Sequence, residues 1–296
     1  MDILLPCIYF LFCLLLIRRW KLLRIKDAHP GWVQALFTIK VVAGLALWLI
    51  YTQHYQYRNT SDAFRYYDDA MVLLDMLRNN PVDYFRFLIG WNLDSPDMQG
   101  YFDEMHGWTS SYSYGIQNDN PTIIRINAVI ALFSLGYYHV HTVFMAFLSI
   151  VGMIFVAKGL RQFGAKTSKL FLTLSLLLPS LIFWPSGVLK EAPLVLLLGV
   201  LFYGLLGLKQ KENRKMLVLI AICIFCLLFI KGYVVLSFLP GILFWVGLSV
   251  VNGKRRWWVL GGFAGIVIAF LYFYPAGNIW YVLSKKQTDF YNVAEM

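Results

Sequence analysis

Charge is what this chain has least of: 14% of its 296 residues are Asp, Glu, Lys or Arg, and acidic residues number only 16 against 26 basic ones. The apolar residues, 59% of the total at a mean hydropathy of +0.62, gather into continuous runs of about the length that crosses a hydrocarbon core. Short alternating segments of the kind that build a transmembrane β-barrel are missing, which excludes that class. Internal repeats and low-complexity stretches are also missing. Cysteine is confined to Cys7, Cys13, Cys223 and Cys226, all inside apolar runs. Cys223 and Cys226 have CxxC spacing, but in such a run they read as small apolar filler rather than redox or zinc chemistry. What remains is an all-α integral membrane protein read as one polytopic domain over residues 1–296.

The net charge of +10 does not point to nucleic acid, because the basic residues sit in short clusters between apolar runs, where they set orientation in the bilayer. Eight spans are expected, at about Ile3–Ile17, Val33–Tyr51, Val140–Ala157, Leu170–Trp184, Ala192–Leu208, Met216–Ile230, Val234–Val251 and Trp257–Phe273. The first is followed by Arg18, Arg19, Lys21, Arg24 and Lys26, the reverse of the order in a signal peptide, so it reads as a retained helix. Lys40 lies within the second and is expected to snorkel or to face the bundle. Ile123–Tyr137 is short, with Arg125 and Asn127 near its start, and reads as an interfacial helix; this keeps Lys158, Arg161, Lys166 and Lys169 on the cytoplasmic side. In this topology the inner segments hold sixteen Lys/Arg against Asp27 and Glu212, and the outer segments nine Lys/Arg against fourteen acidic residues.

The one long polar stretch, residues 52–137, then forms an extracytoplasmic loop inserted between the second and third spans. Ala70–Leu77 reads as a helix with apolar Met71, Leu73, Leu74 and Leu77, and Tyr84–Ile89 is expected at the membrane surface with its aromatics at headgroup depth. Asp62 stands where the chain leaves the second span. A carboxylate there can deprotonate an acceptor hydroxyl or hold a divalent cation; equally, Thr60, Ser61 and Asp62 are all good capping types for the helix that follows. Asp68 and Asp69 are weaker candidates for metal binding, since acidic residues are ordinary near a helix N-terminus. A divalent cation is the only cofactor these residues suggest.

A second motif runs from Pro179 to Glu191, with Pro185 and Gly187 inside it. Two prolines and a glycine break the backbone at the outer interface, and Lys190–Glu191 opens the return helix. Lys190 can neutralise a lipid phosphate with Glu191 orienting it, the helix start adding backbone N–H groups; alternatively the two make a pair that fixes the turn. The motif is more elaborate than an anchor requires, which favours function. Lys231, beside Gly232 and Tyr233, is either a snorkelling helix end or a second phosphate ligand. His54, His106, His139 and His141 read as satisfied interfacial residues, and Lys285, Lys286 and Asp289 as ordinary tail residues.

With Asp62 followed by Tyr66 in the first large outer loop, horizontal helices in that loop and a bundle behind it, the chain resembles the GT-C-type membrane glycosyltransferases, the class that includes mannosyltransferases using polyprenyl-phosphate sugars. The Phe183–Glu191 turn is similar to one found in bacterial cell-surface polysaccharide membrane proteins. The resemblance implies inverting sugar transfer from a polyprenyl-phosphate donor to a glycan or lipid-linked acceptor at the outer face of a bacterial inner membrane. Asp62 would be the base, and Tyr66, Lys190, Glu191 and Lys231 would bind substrate. Two features depart from the pattern: a helix precedes the one leading into the loop, and the tail before Met296 reads as though a further segment follows. The rival expectations are a polysaccharide polymerase or ligase, a transporter or flippase of lipid-linked glycans, and a scaffold in an envelope complex. A transporter predicts ionisable residues near the midplane and paired broken helices.

Overall fold

The computed structural model describes residues 2–26, 28–109, 120–163, 167–208 and 213–250, together with the isolated residues 257, 258, 261, 262 and 265. Among them every regular element is a helix. Most of the expected span Trp257–Phe273, and all of the tail with Lys285, Lys286 and Asp289 and of the basic residues Lys166, Lys209, Lys211 and Lys254–Arg256, lie outside the described residues. The chain divides into two compact units, Met1–Phe238 and Leu239–Met296. In the second, the described stretch 239–250 is helical, while the helix bundle and the polar helices beside it belong to the first.

Helix α1 (Leu4–Arg19) ends on Arg18 and Arg19, cations that suit the negative end of a helix dipole. Helix α2 (Pro30–His54) begins with a proline at its first position, and the His29 imidazole accepts from the Gly31 amide at 3.1 Å. At 25 residues it is long enough, at about 1.5 Å per residue, to cross a core of about 30 Å. Helix α7 (Tyr138–Leu160) and the long α11 (Asn213–Val250) meet the same test of length and apolarity. Lys40 of α2 is fully buried and donates to the Leu181 carbonyl at 2.6 Å, so it faces the bundle.

Among the described residues, three helices have the length and composition of a membrane span, or four if one bent pair is a single span, where seven of the eight expected spans fall. The difference has physical causes. The run Leu170–Trp184 breaks into α8 (Thr167–Leu174), a 3₁₀ turn, the short α9 (Pro179–Ile182) and a second 3₁₀ turn at Trp184–Ser186, with a bend of 97° across the pair. Pro179 and Pro185 each remove a helix donor, and Leu178 before Pro179 leaves the helical region. The stretches 216–230 and 234–250 fall in one element, α11, in which two helices meet at a kink at Lys231 (φ −154°, ψ 82°). The helix α10 (Glu191–Gly207) has 17 residues and α1 has 16, both shorter than the three that qualify.

Contacts fix the directions within the bundle. Phe10 stacks on Phe37 and Gln34 donates to Leu14, so α1 and α2 are antiparallel. Trp48 meets His139, while Phe37 meets Phe147, so α7 runs against α2. Helix α10 runs parallel to α7, with its backbone pressed into it at two glycines: a Cβ on Gly199 would lie 2.1 Å from the Gly152 carbonyl, and one on Gly152 would lie 2.3 Å from that of Val195.

The polar stretch 52–137 folds into α3 (Asp62–Asn79), α4 (Pro81–Ile89), α5 (Gln99–Glu104) and α6 (Asn120–Ser134). At 15 residues α6 spans about 22 Å, less than a hydrocarbon core. These helices share a core around Leu73, Tyr84, Phe87, Phe102, Trp108 and Ile124 that runs on to Leu47 of α2, Met145 of α7 and Ala192 of α10, while α1, α2 and α7 pack around Phe37, Ile150 and Met153. Asp69 organises the cap: its carboxylate accepts from the backbone N–H groups of His106, Gly107 and Trp108 at 2.8, 2.8 and 3.0 Å. Arg86 ties the following loop by bonds to Asp83, Asp97, Ser95 and the Asn92 carbonyl.

Helix α4 splits the expected surface segment into two faces. Tyr84 and Phe87 are buried in the cap core, whereas Val82, Phe85, Ile89 and the nearby Trp91 are exposed. Two neighbouring phenylalanines should therefore respond differently to truncation. Phe87→Ala is expected to cost about 3–5 kcal/mol and Phe85→Ala less than about 1 kcal/mol in unfolding stability, measured on the purified protein in detergent. Equal losses would contradict the assigned faces.

Candidate functional site

The candidate residues come together where α3, α6, α10 and the α11 kink meet. Tyr66, the second turn of α3, is buried, and its hydroxyl donates to Asn120 Oδ1 at 3.1 Å. Lys190 Nζ donates to the same oxygen at 2.6 Å and lies 5.1 Å from the centre of the Tyr66 ring, a cation–π distance. Asn120 is held in turn by its Nδ2 group, which donates to the Gly107 carbonyl at 3.0 Å. One amide at the start of α6 thus joins α3, α10 and the loop that Asp69 secures.

The turn before Lys190 is placed by close backbone contact. A Cβ on Gly44 of α2 would fall 2.4 Å from the Ser186 carbonyl, and one on Gly187 would fall 2.1 Å from the Leu47 side chain. Pro185, Ser186, Gly187, Val188 and Leu189 are all buried as a result. Trp184 remains half exposed, in keeping with an anchor.

Glu191 pairs with Lys231, Nζ to Oε1 at 2.7 Å, while Lys190 turns to Asn120, in keeping with successive residues at a helix start pointing about 100° apart. Lys231 is therefore an ion-paired residue at a kink rather than a snorkelling end. The kink is also tied to the site: Thr122 of α6 donates to the Phe229 carbonyl at 2.7 Å, in the turn just before it. The helix-start amides expected to serve an anion are partly engaged within the turn, Ala192 donating to Leu189 and Leu189 to Gly187.

Asp62 is the first residue of α3, one turn from Tyr66 on the same face, and its side chain is 59% exposed. The capping alternative does not hold, since Ser61 occupies the cap position and no side-chain cap bond forms. Among the described residues the nearest cation is Arg65, at 4.0 Å. Tyr51, in the last turn of α2, stands within electrostatic reach of both Asp62 and Glu191.

The other two carboxylates are committed elsewhere. Asp68 makes two bonds of 2.8 Å to Arg58, whose guanidinium is held above its ordinary pKa by that hydrogen-bonded carboxylate. Burial pushes the Asp69 carboxyl above the ordinary range, and its three backbone N–H donors pull it part of the way back. Among the described residues, no group of three or more His, Cys, Asp or Glu side chains converges as a metal site.

His141 is a satisfied core residue: Nδ1 lies 2.9 Å from Asn127 Oδ1, and Nε2 lies 2.8 Å from Ser134 Oγ. Asn127 Nδ2 already donates to Ile123, so its oxygen accepts and His141 carries its proton on Nδ1. His139 packs edge-on against Trp48, and its Nδ1 has no hydrogen-bond partner among the described residues.

Sequence reasoning missed Asn120. The available signal was its position, a polar residue directly before Pro121 at the opening of an apolar run. The fold and the cluster define an all-helical protein, with helices long and apolar enough to cross a membrane and a polar cluster at one end of its bundle. Comparison of the chain with protein-family models, curated proteins and solved structures finds no match to any of them.

Proposed function

We propose that the chain is a membrane glycosyltransferase of GT-C type, which moves a sugar from a polyprenyl-phosphate donor to a glycan or lipid-linked acceptor at the outer face of a bacterial inner membrane. The observation that supports it best is the Lys190–Asn120–Tyr66 cluster one turn from Asp62. In this reading Lys190 holds the donor phosphate, since its ammonium is fixed in direction by Asn120 and by the Tyr66 ring. Asp62, exposed and paired to nothing closer than 4.0 Å, takes the proton of the acceptor hydroxyl as it attacks the anomeric carbon. The phosphate then leaves with the glycosidic electron pair, and its growing charge is met by Lys190. Lys231 joins as a second cation if an incoming phosphate exchanges with Glu191.

A test is complementation of surface-polysaccharide synthesis by Asp62→Asn and Lys190→Ala at matched membrane abundance. Both are expected to fail, and full activity from both would remove the catalytic assignment. A second reading, movement of a lipid-linked glycan across the membrane, is favoured by one observation. Lys40 is fully buried and bonded to Leu181 in the broken segment between α8 and α10, and transporters pair ionisable residues with broken helices.

A further inference from the structure

At the opposite end of α7 and α10 from the candidate site lies a cavity of about 490 Å³ whose described lining holds Arg24, Lys26, Lys158 and Arg161 and no acidic residue. Asp27 and Glu212, near in sequence, lie outside the described residues. The positive-inside tendency accounts for basic residues on one side of a membrane but not for their convergence on a concave site. That convergence is built by the fold. Lys158, near the end of α7, donates to the Leu22 carbonyl and draws the segment after α1 against the bundle. Within that segment Leu23 and Ile25 are buried while Arg24 and Lys26 are exposed, so an apolar pair anchors it and a cationic pair faces the cavity. Gly159, Gly207, Tyr203 and Leu206 line the same cavity. A second hollow shares Arg24 and Lys26 and adds Arg18, Arg19 and His29.

We infer that this cavity binds a phosphorylated anion, either the headgroup of an anionic membrane lipid or a soluble diphosphate. Its volume suits either, and four cations from two chain segments match a group carrying more than one negative oxygen. The inference is independent of the transferase reading, because none of these residues belongs to the candidate site.

The test uses the full chain in detergent and native mass spectrometry, with phosphatidylglycerol titrated in one arm, sodium pyrophosphate in the other, and phosphatidylcholine as reference. Saturable binding of phosphatidylglycerol alone identifies a lipid headgroup, saturable binding of pyrophosphate identifies a soluble ligand, and either supports the site. Arg24→Gln/Lys26→Gln is expected to weaken that binding about thirtyfold, and Arg161→Gln about fivefold. Lys169→Gln/Lys215→Gln removes the same charge outside the cavity and should change binding less than about threefold. Equal losses in the two double variants, or no preference over phosphatidylcholine in either arm, would overturn the inference.

Discussion

On the proposed transferase reading, Lys190→Gln is expected to lower sugar transfer by about 10²–10³-fold at unchanged membrane abundance. Glutamine can keep a hydrogen bond toward Asn120, so the cluster can close around it, but it carries no charge to meet the departing phosphate. The effect should fall on the chemical step more than on donor affinity, because a phosphoryl oxygen gains charge only as the glycosidic bond breaks. Tyr66→Phe removes the 3.1 Å bond to Asn120 while keeping the ring beneath Lys190, and it should cost much less. Initial rates in isolated membranes, normalised to protein, provide the check. Equal and mild effects from both would mean that Lys190 only braces the turn.

Asp69→Ala is the second change with a large expected effect, and it acts on folding rather than chemistry. Three backbone N–H groups at positions 106–108 converge on this one carboxylate, and Asn120 reaches the Gly107 carbonyl in the same loop. Without the carboxylate the N–H groups of Gly107 and Trp108 stay buried with no acceptor. The expected loss is about 3–5 kcal/mol, or about 10 °C in the unfolding midpoint. Asp69→Asn, which retains one acceptor oxygen, should fall between. Activity should decline with the folded fraction, and an active, fully stable Asp69→Ala would contradict this role.

Some of this was legible in the sequence and some was not. Helices α2 and α7 stand out as long apolar runs, and the break near Pro179 and Pro185 follows from the missing donors. The joining of two expected spans into α11 was not legible, because Lys231–Gly232–Tyr233 contains nothing that obliges a helix to stop. At the site, residue types pointed to Tyr66, Lys190, Glu191 and Lys231, yet not to their pairing. Adjacency suggested Lys190 with Glu191; helix geometry sends one to Asn120, 70 positions away, and the other to Lys231, 40 positions away. Asp68 and Asp69 look alike in the sequence, and only the fold shows one on an arginine and the other under a loop.

The most direct test of the central claim is the sidedness of lipid-linked sugar in cells carrying Asp62→Asn, read by mass spectrometry of lipid extracts before and after treatment of intact spheroplasts with a membrane-impermeant oxidant. The transferase account predicts that polyprenyl-phosphate sugar accumulates and is destroyed by the oxidant, because the donor waits at the outer face. An unchanged pool, or one that accumulates but is shielded from the oxidant, would contradict it, and the shielded pool would place the block at movement across the membrane.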